Sequence, residues 1–395
     1  MEYLITLTIL LAPAYTIKFR LFGLPTNVLM LWVFFVWLAA GVKLLIKKEP
    51  LLFLTAVKKS RVIFFALAGV LFLAGLASLL WQGFSQIKLG QFIVLFLQPI
   101  GIFFIANFEW RRDPSSKQLL LITCYLLLAL MGAYSVIQYF TLFGLPTAYW
   151  GNSLEPKRAL GFFTHPNFYA LFNAPLLALL LADLGNSIKY QISNIKYLKI
   201  TAWLLGAIGL GLSLSRAGWL GLSIAGLVYL LFAADRQTRK FASVIIIVTI
   251  ITTLSVPNLR WRFALPFYGE KSAVSRISLW NSGWKGIRAS PVLGLGLTGF
   301  SQNWQKLNTD PNLDSHNFPH NIFLNFWLET GIVGLIGLMG LIGLMIYRGL
   351  SHRDDQFKLG VALFLIALVM QGLVDNPYFK NDLAIVFWLV LSLAI

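Results

Sequence analysis

Long stretches of nearly uncharged, apolar residues recur along this whole chain, and they leave it few ways to fold. Crossing about 30 Å of hydrocarbon takes roughly 20 apolar residues as a helix. Runs of this kind lie near residues 3–19, 25–46, 62–81, 86–107, 118–142, 167–184, 198–215, 217–233, 241–256, 320–347, 359–374 and 382–395. With 58% hydrophobic residues, 12% charged residues and a mean hydropathy of +0.75, a soluble domain would lack the polar groups to cover itself. The period-two alternation of a membrane β-barrel is missing. The expected architecture is an all-α polytopic membrane protein of about twelve transmembrane helices, forming one domain over residues 1–395. The first run has no basic leader and no small-residue cleavage site before the next span, so it is expected to stay as a helix. The one cysteine, Cys124, lies inside an apolar run, which argues against a disulfide framework or a cysteine metal site.

A net charge of +17 would suggest nucleic acid in a soluble protein. Here the charge is divided among loops between greasy segments, so no nucleic-acid partner is expected and loop position must be read first. The loops at 47–61, 108–117, 185–199, 234–240 and 348–358 carry 17 lysines and arginines, against seven in the short loops on the opposite side. The positive-inside rule then makes these five loops and both termini cytoplasmic. Outside lie the loop 143–166, the tight Ser215–Arg216 corner and a long loop, 257–319, whose seven basic residues escape that rule. Within it Ile277, Trp280, Trp284 and Ile287 recur at helical spacing, ahead of Pro291 and three glycines. This predicts one or two amphipathic helices on the outer membrane boundary, among lipid headgroups, followed by a glycine-rich turn.

The topology gathers polar groups on the outer face. Arg216 stands between two apolar runs with almost no loop, at a depth where a charge costs roughly 2.5–3.5 kcal/mol and normally has a partner or a wet cavity. It fits either a snorkelling, topology-setting arginine or an anion site facing outward. Arg276 opens the Trp-bearing helix, where a guanidinium fork suits a phosphate or a lipid headgroup. Arg288, before the glycine-rich turn, fits the same two readings. Arg158 and His165 lie in the outer stretch EPKRALGFFTHPNF, where Pro166 at a helix start and Asn167 as its cap explain most of the HPN. His320 heads a span at the outer boundary, with Glu329 more than two turns further in. Its imidazole suits proton transfer from an alcohol as well as a plain interfacial cap, and His316 is a competitor four residues earlier. No outer DxD pair, HExxH, Walker or GxSxG motif occurs, so neither metal nor cofactor is expected and arginines would have to neutralise a leaving group.

The stretch HNIFLNFWLETGIVG resembles the signature of the bacterial O-antigen ligase family. SLSRAGW at an outer helix junction, SRISLWNSGWKGIRASPVLGLGLTGF before the histidine and RALGFFTHPNFYALF further upstream reinforce the resemblance, which spans about residues 158–340. It implies a lipid-linked-sugar glycosyltransferase (GT-C-like) fold in the bacterial inner membrane, with a periplasmic, metal-independent and inverting transfer. The donor would be a glycan on undecaprenyl diphosphate and the acceptor a sugar hydroxyl of lipid A-core. Arg216 and Arg276 would hold the diphosphate and His320 would activate the acceptor hydroxyl, with Arg158, His165, Arg288 and Asn321 as further substrate contacts. Members of similar signature act as polysaccharide polymerases or protein O-oligosaccharyltransferases, and the Arg288–Gly299 spacing resembles a polymerase pattern. A transporter or flippase is the non-enzymatic alternative, disfavoured because the polar groups collect on one face and no inverted repeat appears.

Overall fold

The computed structural model describes residues 1–21, 24–47, 61–81, 83–152, 156–189, 195–235, 239, 271–311 and 313–395. The expected span at 241–256, with Arg260 and Arg262 beyond it, lies outside the described residues. Over the other eleven apolar runs the chain is helical, as their composition dictates. Helix α1 (Glu2–Leu11) tightens into a 3-10 turn and is followed by a short antiparallel hairpin, β1 (Lys18–Leu21) and β2 (Leu24–Asn27). Then come α2 (Val28–Lys47), α3 (Val62–Leu80), α4 (Gln86–Phe92), joined through a π turn to α5 (Gln98–Arg112), and α6 (Ser116–Thr141). Next are α7 (Pro166–Lys189), α8 (Ile195–Leu212) and α9 (Arg216–Phe232). The segment before the next long helix contributes α10 (Lys271–Ala289) and the short α11 (Gly299–Gln302) and α12 (Trp304–Leu307). The chain closes with α13 (Ile322–Ser351), α14 (Gln356–Gly372) and α15 (Asn381–Ser392). Among the described residues, seven helices are long and apolar enough to cross a membrane, and four shorter apolar ones accompany them. The protein is a multi-pass membrane protein.

Helix α15 is buried along its whole length, and α5 packs against it. Helix α14 packs on α7, α9 and α13, while α3 lies along α13 and α6 along α8. Of the loops that charge counting assigns to one face, those at 108–117, 185–199 and 348–358 lie at one end. There Asp183 binds Lys199 at 2.7 Å and Tyr125 at 3.0 Å, Gln118 links Asp183 to Gln356, and the Lys117 ammonium donates to the Leu393 carbonyl.

Helix α13 departs from the uninterrupted span expected of it. At Gly331 the backbone takes φ +71°, ψ −179°, a conformation open in practice only to glycine. In a regular helix the Ile332 N–H would bond to the Leu328 carbonyl. Instead Ile332 donates to the Val292 carbonyl at 3.1 Å, and the Leu328 carbonyl accepts from Leu295 N–H at 2.6 Å. The glycine-rich segment is therefore no loose turn: it is threaded into the break and satisfies both groups the break orphans. Glu329, fully buried, accepts the Thr298 N–H at 2.5 Å, and the Trp81 indole donates to the Gly294 carbonyl at 3.1 Å. Hydropathy is blind to such a break, because the run around it is apolar on average.

Helix α10 confirms a helix over the Trp-bearing stretch but splits its apolar residues between two faces. Leu279, Gly283, Gly286 and Ile287 turn inward, with Gly283 and Gly286 close to Leu324 and Leu328 of α13. Val274, Ile277 and Trp284 stay exposed, a stripe suited to lipid.

Candidate active site

Five chain segments come together at the end of the bundle away from the Asp183–Lys199 contacts. The first is the helix entry at His320, whose backbone is left-handed (φ +50°) and whose carbonyl accepts the Trp280 indole N–H at 3.3 Å. Asn321 then caps α13, its side-chain oxygen accepting from Phe323 and Leu324 at 3.0 Å while its amide donates to the Leu373 carbonyl. That amide is committed to backbone, so Asn321 positions the histidine next to it. The His320 Nδ1 lies 2.9 Å from the Asp375 carboxylate, with the histidine side chain 32% exposed and the aspartate 6%.

Burial pushes the Asp375 carboxyl up, but the bond and charge of His320, the Asn376 N–H and the nearby Arg276 outweigh it and hold the group below its ordinary range. An ionised carboxylate accepts only, so Nδ1 carries a hydrogen, and in the neutral ring Nε2 then keeps the lone pair. This is the arrangement of an imidazole oriented to take a proton.

Arg276 reaches the same place from α10: its Nε donates to the Val374 carbonyl at 2.8 Å, one residue from Asp375. Arg216 opens α9, where the positive end of the helix dipole adds to the guanidinium to favour an anion. Gly218, half a turn on, lies against Ala170 and the Gln371 side chain, which sets this turn of α9 level with the end of α14 that leads into Asp375. Arg158 brackets the region, donating from Nε to the Ser213 carbonyl at 2.9 Å and from Nη2 to Asn167 at 2.7 Å. Arg288 stands apart: it is exposed in the last turn of α10, twelve residues and about 18 Å along the helix from Arg276.

His165, not Asn167, caps α7, its Nδ1 accepting the Asn167 N–H at 3.0 Å. Burial pushes its pKa down to about 4 from the usual 6.5, aided by Arg158 and the neighbouring His320 and Lys380 and opposed by Asp375. These couplings join Arg158, His165, His320, Asp375 and Lys380 in one electrostatic cluster. A histidine harder to protonate folded than unfolded contributes stability above pH 6.5 that is lost as pH falls towards 4. We expect the thermal unfolding midpoint in detergent to drop across that window, with a slope of up to about 1.4 kcal/mol per pH unit, and His165→Gln to flatten it. An unchanged slope in the variant would exclude His165 as the cause.

Asp375 and Lys380 escape the sequence reading. Lys380 is stacked 3.6 Å over the Phe168 ring and 4.4 Å over Tyr15, and burial lowers its pKa to about 8 against the opposing pull of Asp382 and Asp375. Their signal is the stretch DNPYFKND, ionisable and turn-forming, between the last two apolar runs. Among the described residues, no group of three or more His, Cys, Asp or Glu side chains could hold a metal ion.

No curated protein matches the chain. Residues 201–339 match the family model described as O-Antigen ligase. That segment includes Arg216, Arg276, His320 and the Gly331 break, and leaves Arg158, His165 and Asp375 outside it. Over that segment, about a third of its length, the chain is similar to the O-antigen ligase family of membrane proteins.

Proposed function

We propose that the protein transfers a glycan from undecaprenyl diphosphate to a sugar hydroxyl, of lipid A-core where it acts as a ligase, on the periplasmic face of the bacterial inner membrane, with both termini cytoplasmic. The observation that carries this reading is the His320–Asp375 pair, an oriented base beside Arg276. Nε2 of His320 takes the proton of the acceptor hydroxyl as its oxygen attacks the anomeric carbon. The bond from that carbon to the diphosphate oxygen breaks, and the electron pair leaves with the diphosphate. Arg216 and Arg276 bind the diphosphate and stabilise the charge that develops on it. Attack in line with the departing group inverts the anomeric centre.

The test is glycan transfer by purified protein from a supplied polyprenyl-diphosphate donor to lipid A-core, scored against transport of the same donor across vesicles. Transport without transfer would refute the reading. Disruption of the gene should leave glycan-free lipopolysaccharide with intact lipid-linked polymer, whereas single-unit glycan would mark a polymerase. Arg216→Lys retains charge but loses the fork, and should reduce kcat/KM for the donor by roughly 10- to 100-fold, the worth of one to two charge-assisted bonds. Wild-type kcat/KM in that variant would remove the bidentate contact. With arginines neutralising the leaving group, transfer should persist in EDTA; a loss reversed only by added Mg²⁺ would contradict the assignment.

A further inference from the structure

Beside the segment that leads into His320 lies a cavity of about 210 Å³, bounded by Gln91, Thr298, Ser301, Gln302 and Asn317, with Phe318 and Ile87 as its apolar walls. Asn317 and Phe318 come three and two residues before the histidine. The lining contains no charged side chain, so nothing in it selects a phosphate. It offers amides and hydroxyls, each able to pair with a neutral hydroxyl, and one aromatic ring. Its volume is below the roughly 300–1,000 Å³ of a pocket for a drug-sized ligand, and suits a single ring.

Two further observations point to an occupant. The Thr298 hydroxyl oxygen and the Gln91 amide oxygen, on two residues that line the cavity, are buried without a hydrogen-bond partner among the described residues, a costly state that turning either side chain towards a polar ligand would relieve. Thr298 also has a left-handed backbone (φ +63°) although it is β-branched, between the glycines at 296 and 299. A glycine there would be free of strain. The Glu329 carboxylate, holding the Thr298 N–H, fixes the residue in that conformation. A threonine kept where the backbone favours glycine indicates that its side chain is used.

We propose that this cavity binds one uncharged pyranose ring of the glycan, through its hydroxyls and an apolar face laid against Phe318. The proposal rests on, and deepens, the glycosyl-transfer reading of the His320 site. The ring belongs either to the lipid-linked donor or to the acceptor.

Saturation-transfer NMR on the purified full chain tests it directly, with the methyl glycosides of glucose, galactose and N-acetylglucosamine as probes and methyl glucuronide as the charged control. At least one neutral glycoside should be saturated, and the glucuronide should not. Thr298→Val should reduce the signal at least threefold, Thr298→Ser should restore it, and His320→Asn should leave it intact. Thr298→Gly should lose the signal while its thermal midpoint stays at or above the wild type, which separates binding from folding. No saturation from any neutral glycoside, or wild-type signals in both Thr298→Val and Thr298→Gly, would overturn the proposal. In transfer assays the same variants should raise KM for one substrate alone, identifying the ring's source. Sugar binding without transfer would refute the transfer reading and leave the cavity standing; wild-type transfer by all Thr298 variants would refute the cavity alone.

Discussion

His320→Asn should lower glycan transfer by a factor on the order of 10²–10⁴, the usual worth of a positioned general base, while leaving affinity for the lipid diphosphate unchanged. Asparagine is the informative replacement, because His320 has a left-handed backbone that asparagine tolerates and alanine tolerates less well. It can still donate to Asp375, so the helix entry is kept and the proton acceptor is lost. Asp375→Asn should produce a loss of the same order by a different route. An amide can donate to Nδ1, which would move the ring hydrogen to Nε2 and turn the base into a donor. The two losses should not add, because both disable one nitrogen. Normal transfer in His320→Asn would remove the ring from the chemistry, and a fully additive double variant would separate the two residues.

The second large effect concerns the scaffold. Gly331→Ala should destabilise the protein by on the order of 4 kcal/mol, combining backbone strain with buried groups left unpaired when the threaded segment is displaced. An added Cβ would lie 2.3 Å from the Val292 carbonyl oxygen, the acceptor for Ile332, and 3.0 Å from the Leu293 carbonyl carbon. Gly343, in the same helix, meets nothing within 4 Å. There alanine should be neutral or stabilising by up to about 1 kcal/mol. Comparing thermal midpoints of the two variants in detergent checks the idea. Equal midpoints would mean that the 290–299 segment does not depend on the break. Because that segment also carries Thr298, Gly331→Ala should lower activity even at temperatures where the protein remains folded.

How much of this could be read beforehand follows from what each signal measures. Apolar runs report burial in lipid, so helices over eleven of the expected spans were legible, and the multi-pass architecture with them. Arg276 and His320 could be singled out because a charged or titratable group at the edge of an apolar run is conspicuous. Asp375 was not, since one acid in a short loop looks like ordinary solvated charge until the fold brings it to the histidine. The Gly331 break was hidden for a different reason: backbone conformation leaves no trace in hydropathy, and a glycine within a greasy helix commonly serves packing. The cap at His165 was misassigned to Asn167 because both residue types fit that position, and only the bond from Asn167 to Arg158 shows where its side chain is spent.

The account stands or falls on Arg216, Arg276 and His320 opening into one space on the face away from the basic loops. Cys124 is the sole cysteine and is fully buried, so single cysteines introduced elsewhere can be read cleanly with a membrane-impermeant maleimide on intact cells. Arg216→Cys, Arg276→Cys and His320→Cys should all be labelled from outside, and added polyprenyl diphosphate should slow all three, while Arg353→Cys should react only after the membrane is opened. Labelling of either arginine position from the same side as Arg353→Cys, or of His320→Cys without protection by the diphosphate, would contradict it.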